Sequence, residues 1–226
     1  MPSNTLPCIE IETAADPTAS IIWLHGLGAD GNDFVPIVPE LKLPATLAAR
    51  FVFPNAPVRN VTINNGMAMR AWYDISSGNL ATRVDIAGVQ QSQVEINALI
   101  EREKSRGIAA SRIVLAGFSQ GGVIALHTAL RYPERLCGVI ALSTYLVLHD
   151  RLAEDAAPAN RGLPIFMGHG NADPVVLFDW GASSQRALVA GGYPVEWHAY
   201  RMEHSVCMEE IQAIGAWLTK RLATTQ

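Results

Sequence analysis

The pentapeptide Gly117-Phe118-Ser119-Gln120-Gly121 constrains this chain more than any other feature. It follows the apolar run Arg112–Ala116 and opens a helical pattern through Val123–Leu130 that Pro133 ends. A serine between a strand and a helix, with glycine two places to either side, describes a tight corner. In such a corner the serine backbone is strained and the flanking residues crowd together, so β-carbons at 117 and 121 would clash. The serine hydroxyl is pushed out above the sheet edge. The free N–H groups of the helix N-terminus then face any negative charge that develops there. This is the geometry of a nucleophile elbow, G-x-S-x-G. Alone, the same five residues also describe a glycine-rich helix entry with a serine cap, so the companions of the motif matter.

The rest of the chain supplies a matching frame. Short runs rich in β-branched residues alternate with longer helical patterns, the signature of βαβ units and a mostly parallel sheet. Expected strands are Cys8–Thr13, Ser20–Leu24, Arg50–Phe53, Arg112–Ala116, Gly138–Leu142, Pro164–Met167 and Pro194–Tyr200. Most are apolar without alternation, as expected of strands covered on both faces. Helical patterns cover Val84–Arg106, Val123–Leu130, Phe178–Val189 and Cys207–Leu222. The stretch Pro54–Gly78, rich in Asn, Pro and Gly, has no clear period and is expected to lie as a loop over a binding cleft. Leu146–Leu163 is a second irregular region. A chain of 226 residues that is 49 % hydrophobic and 17 % charged suits one α/β domain spanning 1–226.

Several classes of function are disfavoured. The formal charge is -4 and no block of Lys or Arg could follow a phosphate backbone, so nucleic acid is not an expected partner. Cys8, Cys137 and Cys207 are odd in number and far apart, which suggests neither a disulfide framework nor a metal site. Met1–Pro7 lacks a basic segment followed by an apolar one, and no uncharged apolar run approaches the ~20 residues of a membrane span. A cytoplasmic protein without cofactor or metal is expected.

The loop after the second strand, His25-Gly26-Leu27-Gly28, is suited to an oxyanion hole. One donor would be the Leu27 backbone N–H and the other the N–H of Gln120, the residue after the nucleophile. The glycines let a substrate carbonyl approach the backbone. One such donor is worth ~3 kcal/mol of transition-state stabilisation in a comparable hydrolase. His25 precedes Ser119 and sits in this glycine-rich loop, which reads as a structural hydrogen-bonding position.

With the nucleophile at 119, the order of an α/β-hydrolase requires an acid and then a histidine further along. Asp173, in His169-Gly170-Asn171-Ala172-Asp173-Pro174-Val175-Val176, lies just past a strand end, where open α/β sheets build their sites. Asp150 and Asp155 fall in the irregular segment and Asp179 in a helical pattern. His204 follows the last strand and precedes the last helix. His198 alternates within the strand and should point to one face of the sheet. His127 and His149 read as helix-surface and loop residues, and His169 as structural. The assignment is therefore Ser119 as nucleophile, His204 as base and Asp173 as its orienting acid.

Taken together, Trp23-Leu24-His25-Gly26-Leu27-Gly28, Pro54-Asn55-Ala56-Pro57, Ala71-Trp72-Tyr73-Asp74, Gly117–Gly122, Leu142-Ser143-Thr144-Tyr145-Leu146, His169-Gly170 with Asp173–Val176, and His204-Ser205 stand in an order that resembles the acyl-protein thioesterase and small bacterial carboxylesterase family. The resemblance covers nearly the whole chain. It implies the α/β-hydrolase fold and hydrolysis of esters or thioesters, with the triad and oxyanion donors on the residues already chosen. It also implies an acyl groove built from Met67, Trp72, Tyr145, Leu146 and Val176, although Met67 and Trp72 read equally well as core packing, and it admits a homodimer, since dimers occur among such proteins. Arg70 stands where the family more often has Pro, and Val147 follows Leu146 where Pro is common. Both flank the groove, so acyl length is left open.

The expected function is a serine hydrolase of carboxylic esters with short to medium acyl chains, working through an acyl-enzyme. Its substrate would be a small acyl ester or an acylated protein. One alternative is an acyl-protein thioesterase, since the same triad serves both leaving groups. A second is a non-catalytic ligand-binding protein on the same scaffold.

Overall fold

Among the described residues nine strands and five α-helices form, and seven of the strands and four of the helices lie where the apolar patterning placed them. The computed structural model describes residues 6–76 and 84–223. The strands are β1 (Cys8–Glu12), β2 (Ala19–Leu24), β3 (Ala49–Pro54), β4 (Val58–Val61), β5 (Met67–Arg70), β6 (Ile113–Phe118), β7 (Gly138–Leu142), β8 (Ile165–Gly170) and β9 (Val195–Tyr200). The helices are α1 (Ile86–Ser105), α2 (Gln120–Arg131), α3 (Leu152–Asp155), α4 (Phe178–Ala190) and α5 (Met208–Leu222).

Seven strands form one sheet in the order β1-β3-β2-β6-β7-β8-β9. Its pairs are parallel except for β1, which runs antiparallel to β3. Strands β2, β3, β7 and β8 are buried at every residue. They are covered on both faces, which is why they carry continuous apolar runs without alternation. One core layer packs α1, α2 and α4 against the sheet, and a second packs α5 and the short turns around Phe34–Leu41 against its other face. This is the α/β-hydrolase arrangement that the motif order implied.

Three expectations need correction. Pro54–Gly78 is not irregular as far as the described residues reach (77 and 78 lie outside them). Strands β4 and β5 pair there as an antiparallel hairpin, from Val58 opposite Arg70 to Val61 opposite Met67. Asp74 ties its turn, accepting from the Thr62 N–H at 2.7 Å and the Thr62 hydroxyl at 2.6 Å. The first helix starts at Ile86, not Val84. Val84 instead pairs with Ile75 as an isolated bridge, and Asp85 caps the helix by accepting from the Gly88 N–H at 2.9 Å. Finally, His127 is not on a helix surface. Helix α2 is enclosed between the sheet and α1, so every residue from Gln120 to Leu130 is buried. Burial, helped by the Arg131 charge, pushes His127 down to about 4. Among the described residues no helix is long and apolar enough to cross a membrane.

Candidate active site

Strand β6 enters α2 through Ser119, whose backbone takes φ 54° and ψ -120°. A left-handed φ at a non-glycine residue is strained, and here the surroundings hold it. The Ser119 N–H donates to Leu142 O at 2.8 Å, and its carbonyl accepts from the Thr144 hydroxyl at 2.7 Å. A β-carbon on Gly117 would lie 2.3 Å from Gly121 O, and one on Gly121 would lie 2.4 Å from Leu24 O. Both obstacles are backbone atoms that cannot swing aside. Gly121→Ala is therefore expected to cost about 1–3 kcal/mol of stability, as overpacked sites do. It should also lower kcat/KM by about a hundredfold or more, because the turn must open and displace the serine. Thermal melting and ester kinetics check this, and a variant unchanged in both would contradict the steric argument.

The carboxyl ends of β6, β8 and β9 bring Ser119, Asp173 and His204 together. His204 Nε2 stands 3.0 Å from Ser119 Oγ, and His204 Nδ1 stands 2.7 Å from Asp173 Oδ2. The two ring nitrogens thus face a hydroxyl and a carboxylate, within the distance that proton transfer needs. Asp173 is buried and its second oxygen is occupied. Oδ1 accepts from the N–H groups of Val175 at 2.8 Å and Val176 at 2.9 Å. Phe118 packs on the imidazole with ring centroids 4.7 Å apart.

The rival histidines have other partners. His25 Nδ1 donates to Gly26 O at 2.7 Å, while Nε2 accepts from the Ala56 N–H at 3.0 Å. Burial lowers its pKa, so it stays neutral and braces the loop. His169 donates from Nε2 to Val176 O at 2.8 Å, and burial lowers it as well. His198 bonds Glu196 at 3.0 Å and stacks on Phe166. Asp155 pairs with Arg131 and Arg151.

The N–H groups of Leu27 and Gln120 have no protein acceptor among the described residues. Both residues line a cleft of about 450 Å³ that also contains Ser119 and His204. The Gln120 side chain has a role that sequence reading missed. Its Oε1 accepts from the Trp72 N–H at 2.8 Å and its Nε2 donates to Tyr73 O at 2.7 Å. It thereby clamps segment 71–73 to the elbow. A glutamine beside Ser119 carries no local pattern that would reveal such a long-range clamp.

Of the five groove residues expected, Tyr145 and Val176 line the cleft. Met67, Trp72 and Leu146 do not. Met67 opens β5 facing outward and is 64 % exposed, so the hairpin instead lends Ile63 and Asn64 to the cleft. Trp72 is wholly buried. Its indole N–H donates to His25 O at 2.9 Å and its carbonyl accepts from the Ser92 hydroxyl. It is a wall behind the 25–28 loop. Leu146 turns away from the cleft, and its N–H donates to the Ser184 hydroxyl at 2.8 Å. Among the described residues no cluster of His, Cys, Asp or Glu is placed to hold a metal ion.

Known proteins are similar to this chain in sequence and in fold. A family model described as phospholipase/carboxylesterase matches residues 6–222. Acyl-protein thioesterase 1 of Neurospora crassa is 40 % identical over 225 residues, covering 96 % of this chain and 92 % of its own. The protein of the same name from Mycosarcoma maydis is 39 % identical, over 94 % of this chain and 95 % of its own. The crystal structure of Arabidopsis thaliana SOBER1 superimposes with a TM-score of 0.85 at 31 % identity, covering 90 % of this chain and 99 % of that one. With its fold, its serine corner and its sequence all in agreement, the chain belongs to the phospholipase/carboxylesterase family and is a hydrolase of the α/β-hydrolase fold.

Proposed function

We propose that this chain cleaves acyl thioesters and carboxylic esters through an acyl-enzyme on Ser119, with acyl groups carried on protein cysteines as its main substrate class. The observation that carries the reading is the unbroken hydrogen-bond line from Asp173 through His204 to Ser119, at 2.7 and 3.0 Å. Ser119 Oγ attacks the acyl carbonyl as His204 Nε2 takes its proton. The oxyanion formed is held by the N–H groups of Leu27 and Gln120. The C–S or C–O bond then breaks, and His204 returns the proton to the departing thiolate or alkoxide. Water repeats the attack on the acyl-serine, gives a proton to His204, and releases the acid as Ser119 recovers its proton.

The thioester emphasis rests on the two relatives named acyl-protein thioesterase 1, at 40 % and 39 % identity. A thiol of pKa ≈ 8.5 leaves far more readily than an alcohol, so a site competent for esters is chemically competent for thioesters. The carboxylesterase reading is the second, supported by the description of the family model.

Three substrates separate them: p-nitrophenyl acetate, an O-octanoyl serine peptide and an S-octanoyl cysteine peptide of the same sequence. The thioester peptide should give the highest kcat/KM of the two peptides. Rapid turnover of the acetate with none of the thioester peptide would return the function to a plain carboxylesterase. A fluorophosphonate probe should label Ser119 in folded protein, and absence of label there would favour a non-catalytic binder.

A further inference from the structure

The cleft that holds Ser119 and His204 also touches Tyr73 and Tyr145, whose hydroxyls lie 3.1 Å apart. Both rings are buried. Burial pushes both phenols above their usual range, so they face each other as neutral groups. Among the described residues neither hydroxyl has another partner, and a buried hydroxyl left alone is costly. The pair therefore acts as a latch that fixes the position of each ring. On the other side of Tyr145 lies a second cavity of about 100 Å³, bordered by Leu146, Trp180 and Ala187 among others. Among the described residues Tyr145 alone borders both spaces. Its ring also meets Trp180 edge to face, with centroids 6.2 Å apart.

We infer that Tyr145, latched by Tyr73, is the partition that sets the longest acyl chain this site accepts. The inference rests on the hydrolase reading above and adds to it what ends the acyl groove. An acyl tail that fills the cleft meets a wall whose two hydroxyls are paired with each other. Behind that wall is space bordered by Leu146 and Trp180, into which a longer tail would pass if the ring were absent.

The test is kcat/KM along p-nitrophenyl esters from butanoyl to dodecanoyl. Wild-type protein should lose activity between the octanoyl and dodecanoyl esters. Tyr145→Ala should raise the dodecanoyl-to-butanoyl ratio by at least about tenfold, since each methylene newly buried is worth about fourfold. Tyr73→Phe, which removes one oxygen and leaves the ring, should move the ratio in the same direction by undoing the latch. Ala187→Trp in the Tyr145→Ala background should refill the second cavity and bring the ratio back. A ratio unchanged in both single variants, with the butanoyl ester still cleaved, overturns the partition and leaves the hydrolase reading intact. A wild-type profile flat through dodecanoyl overturns it as well. Wild-type protein that cleaves no ester of the series sinks the hydrolase reading, and the partition with it. Should Tyr145→Ala fail to fold, Tyr73→Phe decides the matter alone.

Discussion

Ser119→Ala is expected to lower kcat by about a millionfold, the loss seen when a comparable nucleophile is removed, while the protein stays folded. The side chain contributes one reactive atom, and that atom faces His204 Nε2 at 3.0 Å. Alanine retains the β-carbon and removes only the oxygen. The turn itself is held by groups that the substitution leaves untouched: the Ser119 N–H on Leu142 O, the Thr144 hydroxyl on the carbonyl, and the two glycines. One partly buried hydrogen bond is lost, worth about 1 kcal/mol. That corresponds to roughly 2–4 °C in the melting temperature of a chain this long. Residual turnover would come from the oxyanion donors and substrate binding, which alone give a comparable hydrolase about 10³–10⁴ over water. Ester kinetics, a melting curve and loss of fluorophosphonate labelling check this together. Activity above about one part in a thousand would remove Ser119 from the role of nucleophile.

The elbow was legible because its causes are local. Gly117, Ser119 and Gly121 lie within five residues, and the clash that requires glycine is set by backbone geometry. The buried strands were legible for a similar reason, since burial on both faces leaves a continuous apolar run. Residues whose role depends on pairing or on distant contacts were not. The direction in which Met67 points follows from the register of β4 against β5, and a one-residue slip would reverse it. The family resemblance put Trp72 in the groove, yet its indole N–H and both backbone groups are tied to His25, Gln120 and Ser92. Those three partners come from three different segments. Glu103, on α1, is fully buried and bonded to Arg50 on β3, to Arg102 on its own helix and to Arg106 at that helix's C-cap. His127 is enclosed because α2 is covered from all sides, a property of the assembled layers that no periodicity announces.

Asp173→Asn should lower kcat by about ten-thousandfold, as the same exchange does in a comparable triad, with little change in folding. The reason lies in which way the amide must face. The N–H groups of Val175 and Val176 both donate to Oδ1 and can be satisfied only by an acceptor. The amide oxygen of asparagine must take that place, since an NH₂ group there would set donor against donor and leave the buried Val176 N–H and the half-buried Val175 N–H unpaired. The NH₂ group is then directed at His204 Nδ1, where Oδ2 now stands at 2.7 Å. Facing a donor, Nδ1 becomes the acceptor and the ring proton moves to Nε2. The nitrogen that should take the Ser119 proton is then already protonated. The imidazolium of the transition state also loses its facing carboxylate. Because both N–H bonds to Oδ1 survive, the loop at 173–176 should keep its shape and the melting temperature should stay within a few degrees. A crystal structure of the variant should show the asparagine in this one orientation, and kinetics on an activated ester should show the loss in kcat. A variant that keeps more than about one hundredth of the wild-type kcat would mean that Asp173 does not govern the tautomer of His204.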